Sequence, residues 1–118
     1  MKRAYGRGTR AFLNDAAALG MTEAERSEVV SFLASNPDAG DVIAGAGGAR
    51  KLRFAGRSKG KSGGYRVITF FTGPAFPVFL LNAFAKNEKT NLTPRECALL
   101  KELLGAITAC YTKRKVSK

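Results

Sequence analysis

Histidine is absent from this 118-residue chain, and cysteine occurs only twice. Zinc sites draw on Cys and His together and hydrolytic triads draw on His, so both are excluded in their usual forms. Any acid–base chemistry falls to Lys, Tyr or carboxylates. No apolar run approaches the ~20 residues that span a bilayer. The start, Met1-Lys2-Arg3-Ala4-Tyr5-Gly6, is charged but leads into no apolar stretch, so no signal peptide is expected. Cys97 and Cys110 lie on one expected helix, too far apart to bridge within it. Two buried thiols in a reducing compartment are expected, and with them a cytoplasmic protein. Carboxylates are scarce: nine Asp and Glu face 20 Lys and Arg, a net charge of +11. Such an excess points to a polyanionic partner: nucleic acid, an acidic protein or an anionic membrane surface.

What is present fits one domain over residues 1–118, large enough for a single core. A short strand is expected within Tyr5 to Arg10, then a helix from Ala11 to Leu19 closed by Gly20. Thr22-Glu23-Ala24-Glu25 reads as a capping box opening a second helix, with Val29, Val30, Phe32 and Leu33 as its apolar stripe. That helix stops before Pro37, which disfavours helical geometry at Asn36. The Gly- and Ala-rich stretch 38–49 is read as a connection anchored by Val42 and Ile43. Its Gly45-Ala46-Gly47-Gly48 resembles a phosphate cradle but is followed by a strand. Three strands are expected at 50–54, 65–72 and 78–84, the last two joined by the turn-rich Gly73-Pro74-Ala75-Phe76-Pro77. Thr93-Pro94-Arg95-Glu96 is a second capping box. Leu99, Leu100, Leu103, Leu104, Ile107 and Tyr111 then follow at helical spacing as the expected sheet-covering face. The order gives an α+β domain: two N-terminal helices, an antiparallel sheet of three to four strands and a C-terminal helix.

Gly60-Lys61-Ser62, inside Gly56 to Gly64, has the tail of a nucleotide-binding P-loop. Ala55 stands where that pattern needs glycine, and the loop runs into Arg66-Val67-Ile68-Thr69-Phe70-Phe71, a strand rather than a helix. The helix N-terminus that would hold the phosphates is therefore missing, and a nucleotide site is set aside.

The cations are concentrated. Arg50, Lys51, Arg53, Arg57, Lys59, Lys61 and Arg66 fall in one segment that contains no carboxylate. An even scatter would put about three cations in a window of that length. Lys51 and Arg53, at i and i+2 of a strand, project from one face, and Arg66 begins the next strand. Antiparallel pairing brings opposed side chains within ~5 Å, which is destabilising for like charges unless an anion intervenes. Lys86 leaves the third strand near enough to join them. A basic edge that discourages strand aggregation needs one or two such charges rather than seven. Facing RNA, the cluster can bind the backbone through Arg50, Arg57, Lys59 and Lys61. It also suits cleavage by a ribose 2′-OH, which needs a proton acceptor, charge stabilisation on the phosphoryl oxygens and a donor for the leaving oxygen. Arginine fits the second role; a lysine fits the first only where neighbouring cations depress its pKa from ~10.4.

Gly40-Asp41-Val42-Ile43, Gly47-Gly48-Ala49-Arg50-Lys51-Leu52-Arg53, Gly60-Lys61-Ser62-Gly63-Gly64-Tyr65-Arg66-Val67-Ile68, Ala85-Lys86-Asn87-Glu88-Lys89 and Leu92-Thr93 together resemble the RelE superfamily. The likeness covers roughly residues 22–105 and is nearest to the HigB-type toxins of type II toxin–antitoxin systems. It implies helices packed on an antiparallel sheet, and mRNA cleavage, in many members only in the ribosomal A site, without metal or cofactor. It also implies a cognate antitoxin as partner. The resemblance places Lys51 and Arg53 on the family's basic strand pair, Arg66 on its phosphate-stabilising arginine, and Lys86 in the basic stretch after the last strand. Arg53 stands where some members carry a lysine that is a candidate base, and Asn87 where some carry arginine. The acceptor is thus Lys51, or Lys61 as second choice. Two rivals stand beside the ribosome-dependent endoribonuclease: a ParE-like gyrase inhibitor of the same fold, which needs no phosphate chemistry, and a non-catalytic RNA- or ribosome-binding protein.

Overall fold

The computed structural model describes residues 6–54, 64–71, 77–85 and 92–116, with side chains over 9–54, 64–71, 77–85 and 92–110. In chain order the elements are β1 (Gly6–Gly8), α1 (Arg10–Leu19), α2 (Glu23–Ser35), β2 (Asp41–Val42), β3 (Arg50–Phe54), β4 (Tyr65–Phe70), β5 (Val78–Ala85) and α3 (Pro94–Val116). The α+β class and the helix–strand–helix order are those expected. The sheet runs β1-β5-β4-β3-β2. Strands β2 to β5 pair antiparallel, and three-residue β1 adds a parallel edge against β5. None of the described helices is long and apolar enough to cross a membrane.

Local chemistry sets the helix starts. Thr9, not the strand ending at Arg10, is the N-cap of α1: its Oγ1 accepts from the Phe12 amide at 3.1 Å. The same hydroxyl donates to the Leu80 carbonyl and so pins the helix start to β5. Both expected capping boxes are formed. In α2 the Glu25 amide donates to Thr22 Oγ1 and the Thr22 amide to Glu25 Oε1. In α3, Thr93 and Glu96 exchange the same pair of bonds, 3.1 and 2.8 Å.

Each sheet face has its own core. Tyr65 and Val67 of β4 join Phe12, Val29 and Leu33 beneath α1 and α2, whereas Ile68 and Phe70 join Leu100 and Leu104 of α3. In β5 the alternation slips: Ile68 pairs with Asn82 but Thr69 with Leu80, leaving Leu81 as an extra residue. The slip lets Leu81 and Phe84, three apart, face α3 together. The Gly-rich turn before β3 packs on this same helix. A Cβ on Gly47, whose φ is +72°, would sit 2.9 Å from the Lys101 Cα. Glycine here permits close backbone approach, which accounts for the pattern without a phosphate.

Several expected core positions are instead exposed. The stripe of α2 buries Val29 and Leu33 but leaves Phe32 outside. Val42 is 62% exposed because β2 is a two-residue edge with no helix over it; Ile43 is the anchor. Leu99 and Leu103 are 56% and 47% exposed. A helix on a sheet buries a single stripe, and Leu100, Leu104 and Ile107 occupy it. The cysteines are free, as expected, but Cys97 is half-buried and Cys110 exposed. The expected packing of Tyr111 lies outside the described side chains.

Tyr65 is fully buried, stacked on Phe54 with ring centroids 6.3 Å apart. Its hydroxyl has no hydrogen-bond partner among the described residues. Burial, and secondarily the nearby Glu25 carboxylate, push its pKa upward. The fold thus favours the neutral phenol, and the unfolded chain loses this proton first, near pH 10. Stability is fully present below that pH and falls as pH rises above it. Tyr65→Phe removes an unsatisfied hydroxyl, so it should hold or raise stability at pH 7 by about 1 kcal/mol and flatten the alkaline decline. Urea unfolding between pH 7 and 11 measures both; a clear destabilisation at pH 7 would reveal a partner for the hydroxyl.

Candidate phosphate-binding face

The β3–β4 pairing sets the geometry of the cations. Arg53 stands directly opposite Arg66, Lys51 opposite Ile68, and Arg66 in turn opposite Phe84 of β5. Directly opposed residues share a face, and this one belongs to Ile68, Phe84 and α3. Arg53, Arg66 and Phe84 therefore form one row across three strands, with Lys51 one diagonal step from Arg66. Opposed Cβ atoms in such a ladder lie about 5 Å apart and diagonal ones about 7–8 Å.

The three cations differ in burial. Arg53 is exposed, Lys51 half-buried, and Arg66 only 7% exposed. No described residue offers the Arg66 guanidinium a carboxylate or a hydrogen bond. Burying a cation without an anion is costly, and a second arginine across the strand pair raises the cost. An arriving phosphate would relieve both, since the guanidinium fork grips its oxygens in a planar, bidentate manner.

Arg50 belongs elsewhere. Alternation turns it to the face of Leu52 and Phe54, under α2, and its Nη1 donates to the Gly40 carbonyl at 3.1 Å. It acts there as a tie between β3 and the preceding connection. Arg57, Lys59, Lys61 and Lys86 lie outside the described residues. The strands that flank their segments end together: Phe54 pairs with Tyr65, and Tyr65 with Ala85, one step beyond the cationic row.

Two features of the face escaped the sequence reading. Phe84 beside Arg66 depends on the register slip in β5, which no residue pattern announces. The burial of Arg66 depends on that same neighbour and on β4 being central, with all six of its residues buried. The central placement could have been inferred from the run Val67-Ile68-Thr69-Phe70-Phe71 after Arg66, apolar at all but Thr69.

One comparison bears on identity. The family model described as the RelE toxin of the RelE/RelB toxin–antitoxin system matches residues 20–118. That span contains every strand from β2 to β5, α3 and all of the cations discussed, so the chain belongs to the RelE toxin family, whose members are the toxin half of a toxin–antitoxin pair.

Proposed function

We propose that this toxin is an mRNA endoribonuclease of the HigB type, acting on ribosome-bound message by 2′-OH attack and needing no metal. The observation that carries the reading is the buried Arg66, which has no carboxylate partner among the described residues, set against Arg53 with Lys51 on the diagonal. In this scheme the ribose 2′-oxygen forms a bond to its own phosphorus while the bond to the 5′-oxygen breaks. The 2′-OH proton passes to the neutral amine form of Lys51, or of Lys61, and the departing 5′-oxygen takes up a proton from water. Arg66 and Arg53 hold the phosphoryl oxygens as negative charge develops on them, which is where fixed cations accelerate a reaction most. Lys86 is the fourth cation of the scheme, and Arg57, Lys59 and Lys61 would steer the RNA backbone toward the row.

Mapping mRNA 5′ ends in cells after brief induction tests the proposal. New ends inside translated open reading frames are expected, together with cleavage of purified message only when ribosomes are present. Intact message with arrested translation would instead identify a non-catalytic binder. Intact message with a DNA-supercoiling defect would identify a gyrase inhibitor.

A further inference from the structure

A cleft of about 490 Å³ lies beside the cationic row, between α3 and β5. Leu99 and Leu103 line it from the helix, Ala83 and Phe84 from the strand, and the carboxylates of Asp15 and Glu96 also border it. Along α3, the exposed Leu99, Leu103, Ala106 and Cys110 recur at spacings of four, three and four. That is the seam along which one helix packs on another.

Three occupants can be weighed. RNA is disfavoured, because two carboxylates line a largely apolar cleft. A second copy would offer the outer, convex side of a helix already packed on its own sheet through Leu100 and Leu104. It would add two half-exposed leucines per copy, far short of the ~800 Å² per partner of a standard interface. It would also bring together two chains of +11. A helix that arrives unpacked can fill both walls, and family membership implies a partner able to supply one.

We propose that this cleft and seam seat an amphipathic helix of the cognate antitoxin, antiparallel to α3. Charge sets the direction. Asp15 and Glu96 lie at the N-terminal end of α3, while its sequence ends in Lys113-Arg114-Lys115. An antiparallel helix places its first turns, where acidic residues are favoured, beside that basic end. Phe84 belongs to both the cleft and the Arg53–Arg66–Phe84 row. The bound helix therefore abuts the row and adds bulk there. The inference rests on the toxin assignment and not on the chemistry proposed for the row.

The test measures antitoxin affinity of the full-length toxin at low and high salt, together with growth arrest in the absence of antitoxin. Leu103→Asp and, separately, Leu99→Asp place a charge on the seam at exposed positions, and circular dichroism checks their fold. Each should weaken antitoxin binding on the order of 100-fold at both salts, by burying a carboxylate in an apolar contact, while growth arrest persists. Phe32→Asp, on the exposed apolar face of α2, should bind antitoxin as the wild type does. Wild-type affinity in both seam variants would overturn the proposal. So would a loss seen only with Phe32→Asp, or loss of growth arrest with antitoxin binding intact. A free toxin that sediments as a dimer and becomes monomeric on Leu103→Asp would assign the seam to a second copy. If message proves uncut in cells, the cleavage reading fails while these affinities still decide the docking site.

Discussion

Arg66→Ala is expected to abolish growth arrest in cells, with mRNA cleavage slowed on the order of 100- to 1,000-fold. Arg66 is the most buried cation described, stands opposite Arg53 and Phe84, and has no anion among the described residues. Such a group is costly to the fold and valuable to a phosphoryl transition state. The expectation is therefore two-sided. Arg66→Met, which keeps most of the apolar stem and removes the charge, should be equally inactive and at least as stable to urea as the wild type. Arg66→Lys keeps the charge but not the planar fork, and should fall between wild type and alanine. Cleavage rates and unfolding midpoints for the three variants separate a site held at a cost from a merely structural arginine. A folded, soluble Arg66→Ala protein that still arrests growth would remove Arg66 from the mechanism.

The features that were legible in the sequence have local causes. Thr22 with Glu25, and Thr93 with Glu96, set two helix starts through bonds spanning three residues. Strand β4 follows from a β-branched and aromatic run opened by Gly64, and β5 from the apolar run after Pro77. Lys51 and Arg53 share a face because strand side chains alternate, a rule that needs no tertiary information. The same rule already turns Arg50 away from Lys51, to the face of Leu52 and Phe54. The rest is not local. Leu99 and Leu100 are identical in type and adjacent, yet only Leu100 meets the sheet, because the rotation of α3 is fixed by Phe84 and Ile68 across the chain. Likewise, the two-residue β2 exists only because β3 offers Arg50 and Lys51 as partners, so Val42 is an edge residue rather than an anchor.

Lys51→Ala is expected to slow single-turnover cleavage of ribosome-bound message by about 10²–10⁴-fold, the range for loss of a positioned proton acceptor. The informative companion is Lys51→Arg. If Lys51 supplied only positive charge, arginine would serve as well or better, because its fork binds phosphate in bidentate fashion. If Lys51 accepts the 2′-OH proton, arginine restores RNA binding but not turnover, since a guanidinium does not give up its proton. Placement favours the second outcome. Arg53 and Arg66 already oppose each other across the strands, while half-buried Lys51 sits one diagonal step away, opposite an apolar residue. Two arginines suffice to hold one phosphate, which leaves Lys51 the group without a redundant counterpart on the row. Affinity for a 2′-deoxy, uncleavable message should therefore stay near wild type in Lys51→Arg, while the cleavage rate remains at the alanine level. Recovery of turnover in Lys51→Arg would make Lys51 a charge-stabilising residue and pass the role of acceptor to Lys61.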